Sequence, residues 1–287
     1  MKISVETYGM RKLFGDEEAL RVIAAAGFEA VDFSFYYGAE DYVMYTDAYG
    51  ETAKRLRSVM DEVGIVCNQA HAPFSLGYGK EWNCNEPEYR KIVQSLEAAA
   101  ILGAEQIVVH SIGLPEERRK EEFDYNYQFY KSLEPYAEKY GIRIAVENLF
   151  YRDSKRNRIG GRLNTPEELC AMVKALNSPW FTACVDLGHS SLTGLTPEAF
   201  VAGMEPGVLK CLHVQDTDFR DDRHWLPFQG NFNWPAIMAA LRSVDYDGDL
   251  TFELTRYLNT LPPELARDAL IFAHRVGEHL VNLSEER

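Results

Sequence analysis

The chain has 287 residues, five cysteines and a formal net charge of −14. It is long enough to bury a full core unaided, and its odd, scattered cysteines (Cys67, Cys84, Cys170, Cys184 and Cys211) exclude a disulfide framework or a C-x-x-C zinc knot. The acidic balance argues against nucleic acid and anionic membranes as partners, and no apolar run offers a signal peptide or membrane span, so a soluble, cytoplasmic protein is expected.

The elements alternate from the first residues onward. Lys2–Glu6 reads as a strand, followed by a helical pattern at 16–26. Ala30–Phe35 precedes a helix at 48–63, and Val66–Ala70 one at 87–102. Gln106–His110 leads to 121–140, and Arg143–Glu147 to 165–176. Thr182–Asp186, Lys210–Val214 and Leu250–Glu253 precede helices at 197–204, 234–243 and 262–282. Gly27, Gly64, Gly103 and Gly141 each close a helical pattern before a strand. Thr165-Pro166-Glu167-Glu168 and Thr196-Pro197-Glu198 read as helix starts, with a capping hydroxyl, a first-turn proline and an acid near the positive end of the dipole. The strands are apolar almost throughout, as strands covered on both faces are. Eight such alternations predict an α/β fold with one domain over 1–287, a single (β/α)8 TIM barrel.

The longest loops, at 36–49, 73–86, 149–164 and 216–233, all follow strands, so a barrel gathers them on its catalytic face. The same ends carry ionisable residues. The third strand runs into His71 and the fourth into His110; the fifth ends at Glu147. The sixth reaches Asp186 and then His189. The seventh carries His213, with Asp222 and His224 in its loop, and the eighth ends at Glu253. Carboxylates crowded at a barrel mouth repel one another and lose their hydration, a cost that a divalent cation removes. His274 and His279 stand five residues apart on the last helix, off one face, and read as structural or solvated histidines.

The residues Ala145-Val146-Glu147-Asn148, Val185-Asp186-Leu187-Gly188-His189, Leu212-His213-Val214-Gln215-Asp216, Asp222-Arg223-His224 and Thr251-Phe252-Glu253 make the chain resemble the xylose isomerase-like barrel superfamily, in its sugar phosphate isomerase and epimerase branch. The resemblance covers essentially the whole chain. It implies one divalent ion held by Glu147, Asp186, His213 and Glu253, with His189 orienting substrate. The ion would be Mn²⁺, Mg²⁺ or Co²⁺, with Zn²⁺ the alternative. The related AP endonucleases bind three zinc ions, and their ligands match His71, His110, Glu147, Asp186, His189, His213, Asp222, His224 and Glu253. This chain departs from them at the wording of its seventh and eighth strands and in lacking their short DNA-penetrating loops. Homodimers or homotetramers are also implied.

The expected activity is isomerisation or epimerisation of a small sugar, sugar phosphate or polyol through a metal-stabilised enediolate, with Glu147 and Glu253 moving the proton. Phosphodiester hydrolysis by several zinc ions and dehydration of a polyol or hydroxy acid are the alternatives. Trp82, Tyr36 and Trp225 either stack on substrate or pack their loops. Arg152, Lys155, Arg156 and Arg158 form an anion clamp or a solvated basic loop.

Overall fold

In the computed structural model, residues 1–36, 42–74, 76, 78–152, 158–160 and 163–285 are described. The chain runs β1 (Ile3–Glu6), α1 (Tyr8–Phe14), α2 (Asp16–Ala25), β2 (Ala30–Ser34), α3 (Tyr49–Val63), β3 (Val66–His71), α4 (Pro87–Leu102), β4 (Gln106–Val109), α5 (Glu122–Tyr140) and β5 (Arg143–Glu147). It continues through a hairpin of β6 (Phe150–Arg152) and β7 (Arg158–Gly160), then α6 (Pro166–Leu176), β8 (Phe181–Asp186), α7 (Leu187–Leu192), α8 (Pro197–Ala202) and β9 (Leu209–His213). It finishes with α9 (Trp234–Ser243), β10 (Leu250–Phe252), α10 (Thr255–Asn259) and α11 (Pro263–Glu285).

Eight strands form one parallel sheet in the order β10-β1-β2-β3-β4-β5-β8-β9. The ring closes at Val214, whose N–H donates to the Thr251 carbonyl (2.8 Å) and whose own carbonyl accepts from the Glu253 N–H (3.0 Å). This is the (β/α)8 barrel expected from the alternation. The strands are buried along nearly their whole length, because helices cover the outer face and side chains fill the inner one.

Helix ends follow the local chemistry. Thr165 accepts from the Glu168 N–H and Thr196 from the Ala199 N–H, and each is followed by proline. Gly103 and Gly141 end α4 and α5 at φ 91° and 67°, a region costly for any residue with a Cβ. The short helices α1, α7 and α10 and the β6–β7 hairpin lie where the sequence reads as loop. Among the described residues no helix is long and apolar enough to cross a membrane.

Candidate metal and active site

Six of the barrel strands deliver the expected residues to one place. On each of them a polar side chain emerges where the ladder ends and the mouth begins. Glu147, at the end of β5, is fully buried. Its Oε1 lies 2.7 Å from His213 Nδ1 and its Oε2 lies 2.7 Å from His110 Nε2. Asp186 ends β8 and caps α7, accepting from the His189 N–H (2.6 Å) and from Gln215 Nε2 (3.0 Å). Glu253 follows β10, with Oε2 3.7 Å from His213 Nδ1 and 3.6 Å from His224 Nδ1.

Among the described residues the potential ligands fall into overlapping groups, of which three span the mouth. His71, His110 and Glu147 form one; Asp186, His213 and Glu253 form the next, with all ligand atoms of each within 4.8 Å. Asp222 forms the third: its Oδ2 lies 2.8 Å from His224 Nε2 and 4.0 Å from His189 Nε2. All nine residues singled out by the sequence therefore converge.

The imidazoles are aimed. A carbonyl oxygen can only accept, so each ring nitrogen against a carbonyl carries a proton. His71 Nδ1 donates to the Ala72 carbonyl (2.8 Å), His189 Nδ1 to that of Asn148 (3.0 Å) and His224 Nδ1 to that of Glu253 (3.1 Å). Each then turns Nε2 toward the carboxylates, the arrangement in which a metal ligand is held by its surroundings.

Two further observations test the fit to a cation. The buried Glu147 Oε2 accepts no hydrogen bond, although His110 Nε2 is only 2.7 Å away. A close nitrogen–oxygen contact that is misaligned for a hydrogen bond suits two ligands of a shared ion. Asp222 Oδ1 is likewise buried without a hydrogen-bond donor. The residues fit a divalent metal, and their mix of imidazole and carboxylate accommodates zinc as well as manganese or cobalt.

Without a cation, the imidazoles balance the acids. Burial opposes charge on Glu147, but His213 and His110 hold its carboxyl well below the usual range. Burial opposes charge on His213 as well, and Glu147 and Glu253 hold it protonated well above the ordinary value. Asp222 lifts His224 to about 10 against the same burial penalty. Burial lowers His110 to about 4. Glu253 goes the other way: burial raises it to about 7, against the pull of His224 and His213.

That value carries a prediction. Below about 7 the metal-free protein keeps a proton on Glu253 that a cation must displace, so divalent affinity should fall as the pH drops through 7. Calorimetric titration with Mn²⁺ at about pH 6 and about pH 8 checks this, and equal affinities would refute it.

A cavity of about 280 Å³ opens over the clusters, lined by His110, Glu147, His189, Asp222, His224 and Glu253 on its polar side. Phe74, Leu76, Leu149 and Phe150 form the apolar side, and the hydroxyl groups of Ser111, Tyr151 and Thr255 add polar edges. Phe74 lies flat on both Tyr36 (4.6 Å) and His110 (4.5 Å). The loop behind the third cluster is held by Asp216, which accepts from the N–H groups of Thr217, Phe228 and Phe232 and from Trp234 Nε1.

A family model described as a xylose isomerase-like TIM barrel matches residues 20–281. The chain belongs to that family. The uncharacterized protein MJ1311 of Methanocaldococcus jannaschii is 31% identical over 202 residues, covering 67% of this chain and 64% of that protein. The match thus spans less than two thirds of the length of that relative. A solved D-tagatose 3-epimerase-like protein superposes with a TM-score of 0.76 at 22% identity, covering 99% of this chain and 98% of that one. A zinc-bound IOLI protein gives 0.74 at 17% identity, covering 98% of each. At these identities the structural likenesses establish the fold.

Of the two alternatives for Trp82, the structure favours packing within its loop. Trp82 is not among the cavity-lining residues; its ring packs on Tyr89 (6.1 Å) and Phe129 (5.8 Å), so it anchors its loop. Trp82→Ala should therefore destabilise the protein by about 2 kcal/mol in a denaturant titration and leave substrate KM unchanged. Arg158 lies in β7, with its side chain outside the described residues, as are Lys155 and Arg156. Arg152 pairs with Asp221, and Trp225 lies under Arg223 (5.4 Å). His274 packs edge-on to Phe28 and His279 against Phe228, both far from the cluster in role. Cys67, Cys170, Cys184 and Cys211 are buried and free, as apolar strand and helix positions favour, while Cys84 is exposed.

Several site residues carry a signal that the strand-end reading passes over. Asp32 and Gln69 sit inside β2 and β3, fully buried, yet Asp32 Oδ2 reaches His213 Nε2 (3.2 Å) and Gln69 Nε2 (2.8 Å). Glu6 ends β1 just as Glu147 ends β5, and it accepts from Ser34 Oγ (2.6 Å). Tyr36, entirely buried, donates to Glu253 Oε1 (3.3 Å). An acid within an otherwise apolar strand was the available clue.

Proposed function

We propose that this protein is a divalent-metal-dependent isomerase or epimerase of a small sugar or polyol, acting by proton transfer next to a carbonyl. The supporting observation is that Glu147 and Glu253 both line a cavity of about 280 Å³, with His213 Nδ1 facing both carboxyl groups. That space suits a single monosaccharide and is too small for a duplex.

A cation held by Glu147, Asp186, His213 and Glu253 would polarise the substrate carbonyl and make the neighbouring carbon acidic. The side chains divide the remaining work. Glu253, which lines the cavity, would act as the general base. Tyr36 fixes its carboxyl by donating to Oε1. Glu147, between His110 and His213, would supply the returning proton, entering the step protonated and leaving it as the carboxylate while Glu253 leaves protonated. His189, held at Nδ1 by the Asn148 carbonyl, offers Nε2 to a substrate hydroxyl. Phe74, Leu149 and Phe150 keep water from the exposed carbanion face.

Deuterium wash-in from heavy water into a panel of ketoses, followed by proton NMR, tests the reading. Exchange beside the carbonyl is the expected result. No exchange with any ketose, from protein shown to hold metal, would overturn it.

One observation favours a second reading, phosphodiester hydrolysis by several zinc ions: the three clusters hold ligands for more than one ion. Three zinc ions per chain by elemental analysis, together with nicking of abasic-site DNA, would establish it in place of the first.

A further inference from the structure

His213 differs from the other aimed imidazoles in the partner that orients it. His71, His189 and His224 are each turned by a backbone carbonyl. His213 is turned by a carboxylate: its Nε2 lies 3.2 Å from Asp32 Oδ2. Asp32 comes from β2 and His213 from β9, so the contact spans the barrel interior. Both side chains are buried, and Gln69 Nε2 donates to the same Asp32 oxygen (2.8 Å), fixing the carboxyl in place. Asp32 Oδ1 accepts no hydrogen bond.

We infer that Asp32 is a positioning residue for the metal ligand His213. An ionised carboxylate only accepts, so the Nε2 proton stays on the Asp32 side. When a cation takes the place of the proton that Nδ1 shares with Glu147, the Nδ1 lone pair is directed to it, beside Glu147 (2.7 Å), Glu253 (3.7 Å) and Asp186 (4.0 Å). A carboxylate behind an imidazole also makes it a more basic ligand than a carbonyl does. Asp32 therefore selects the tautomer and strengthens the His213 bond to the ion, without touching ion or substrate. A buried acid in the middle of an apolar strand is expensive, and this contact gives it a purpose.

The inference rests on the proposed metal site, and the experiment separates the two. Mn²⁺ affinity is measured by calorimetry and chelator competition for the wild type, Asp32→Asn and Asp32→Ala. Affinity should fall about tenfold in the near-isosteric amide variant and about a hundredfold in the alanine variant. In zinc-loaded wild-type protein labelled with ¹⁵N-histidine, the His213 ring should carry its proton on Nε2 and be shifted by metal at Nδ1. The NMR measurement needs no variant, so it decides the matter even if Asp32→Ala fails to fold. Unchanged affinity in both variants, or a His213 proton on Nδ1 in the loaded protein, would overturn the role of Asp32. A wild-type protein that binds no divalent ion would overturn the metal site itself.

Discussion

Glu147→Gln and Glu253→Gln are each expected to lower turnover by about three orders of magnitude, in line with the loss of a positioned acid or base. The two variants should fail differently. Glu147 touches two of the three ligand clusters, through His110 and His213. Its amide would leave both imidazoles facing an uncharged group, so metal occupancy should fall with activity. Glu253 also faces two imidazoles, but at longer range, 3.7 Å from His213 and 3.6 Å from His224. Its amide should retain more metal while losing deuterium exchange into substrate. Steady-state kinetics alongside metal analysis distinguishes the two, and near-wild-type turnover in both variants would end the assignment of either carboxyl to the chemistry.

The second large effect concerns stability. Glu147, Asp186, Glu253, Asp222 and Asp32 crowd a region that excludes water, and the imidazoles offset only part of their repulsion. A cation bound by the folded chain alone stabilises it by about 4 kcal/mol when present at a thousand times its Kd. At about 2 °C per kcal/mol for a chain of this size, Tm should rise by roughly 8 °C on loading and fall back with chelator. Differential scanning calorimetry of stripped and reloaded protein measures the shift. Coincident transitions would show that the clusters hold no ion.

The barrel was legible because its signals were long and repeated. The barrel strands are short, mostly apolar runs that lead into ionisable residues from β3 onward, and longer helical patterns alternate with them. Glu147, Asp186, His213 and Glu253 stood out for the same reason. Asp32 did not, since nothing in the local pattern of Ala30–Ser34 shows which distant residue will face it. That contact is set by the barrel closing on itself. The helices α1, α7 and α10 were missed because 7, 6 and 5 residues span two turns at most, too short for an amphipathic period to emerge. Tyr36 reads as a loop aromatic; only the fold shows Phe74 stacked on it.

The way the ring closes has a consequence for its motions. Most neighbouring strands share a ladder, whereas β9 and β10 meet around Val214, and His213 and Glu253 stand on opposite banks of that join. Breathing of the barrel would begin there and draw the two apart. An ion gripped by both would act as a clasp, so that amide exchange at Val214 and Glu253 would report in a single measurement whether the seam is shut and whether the site is filled.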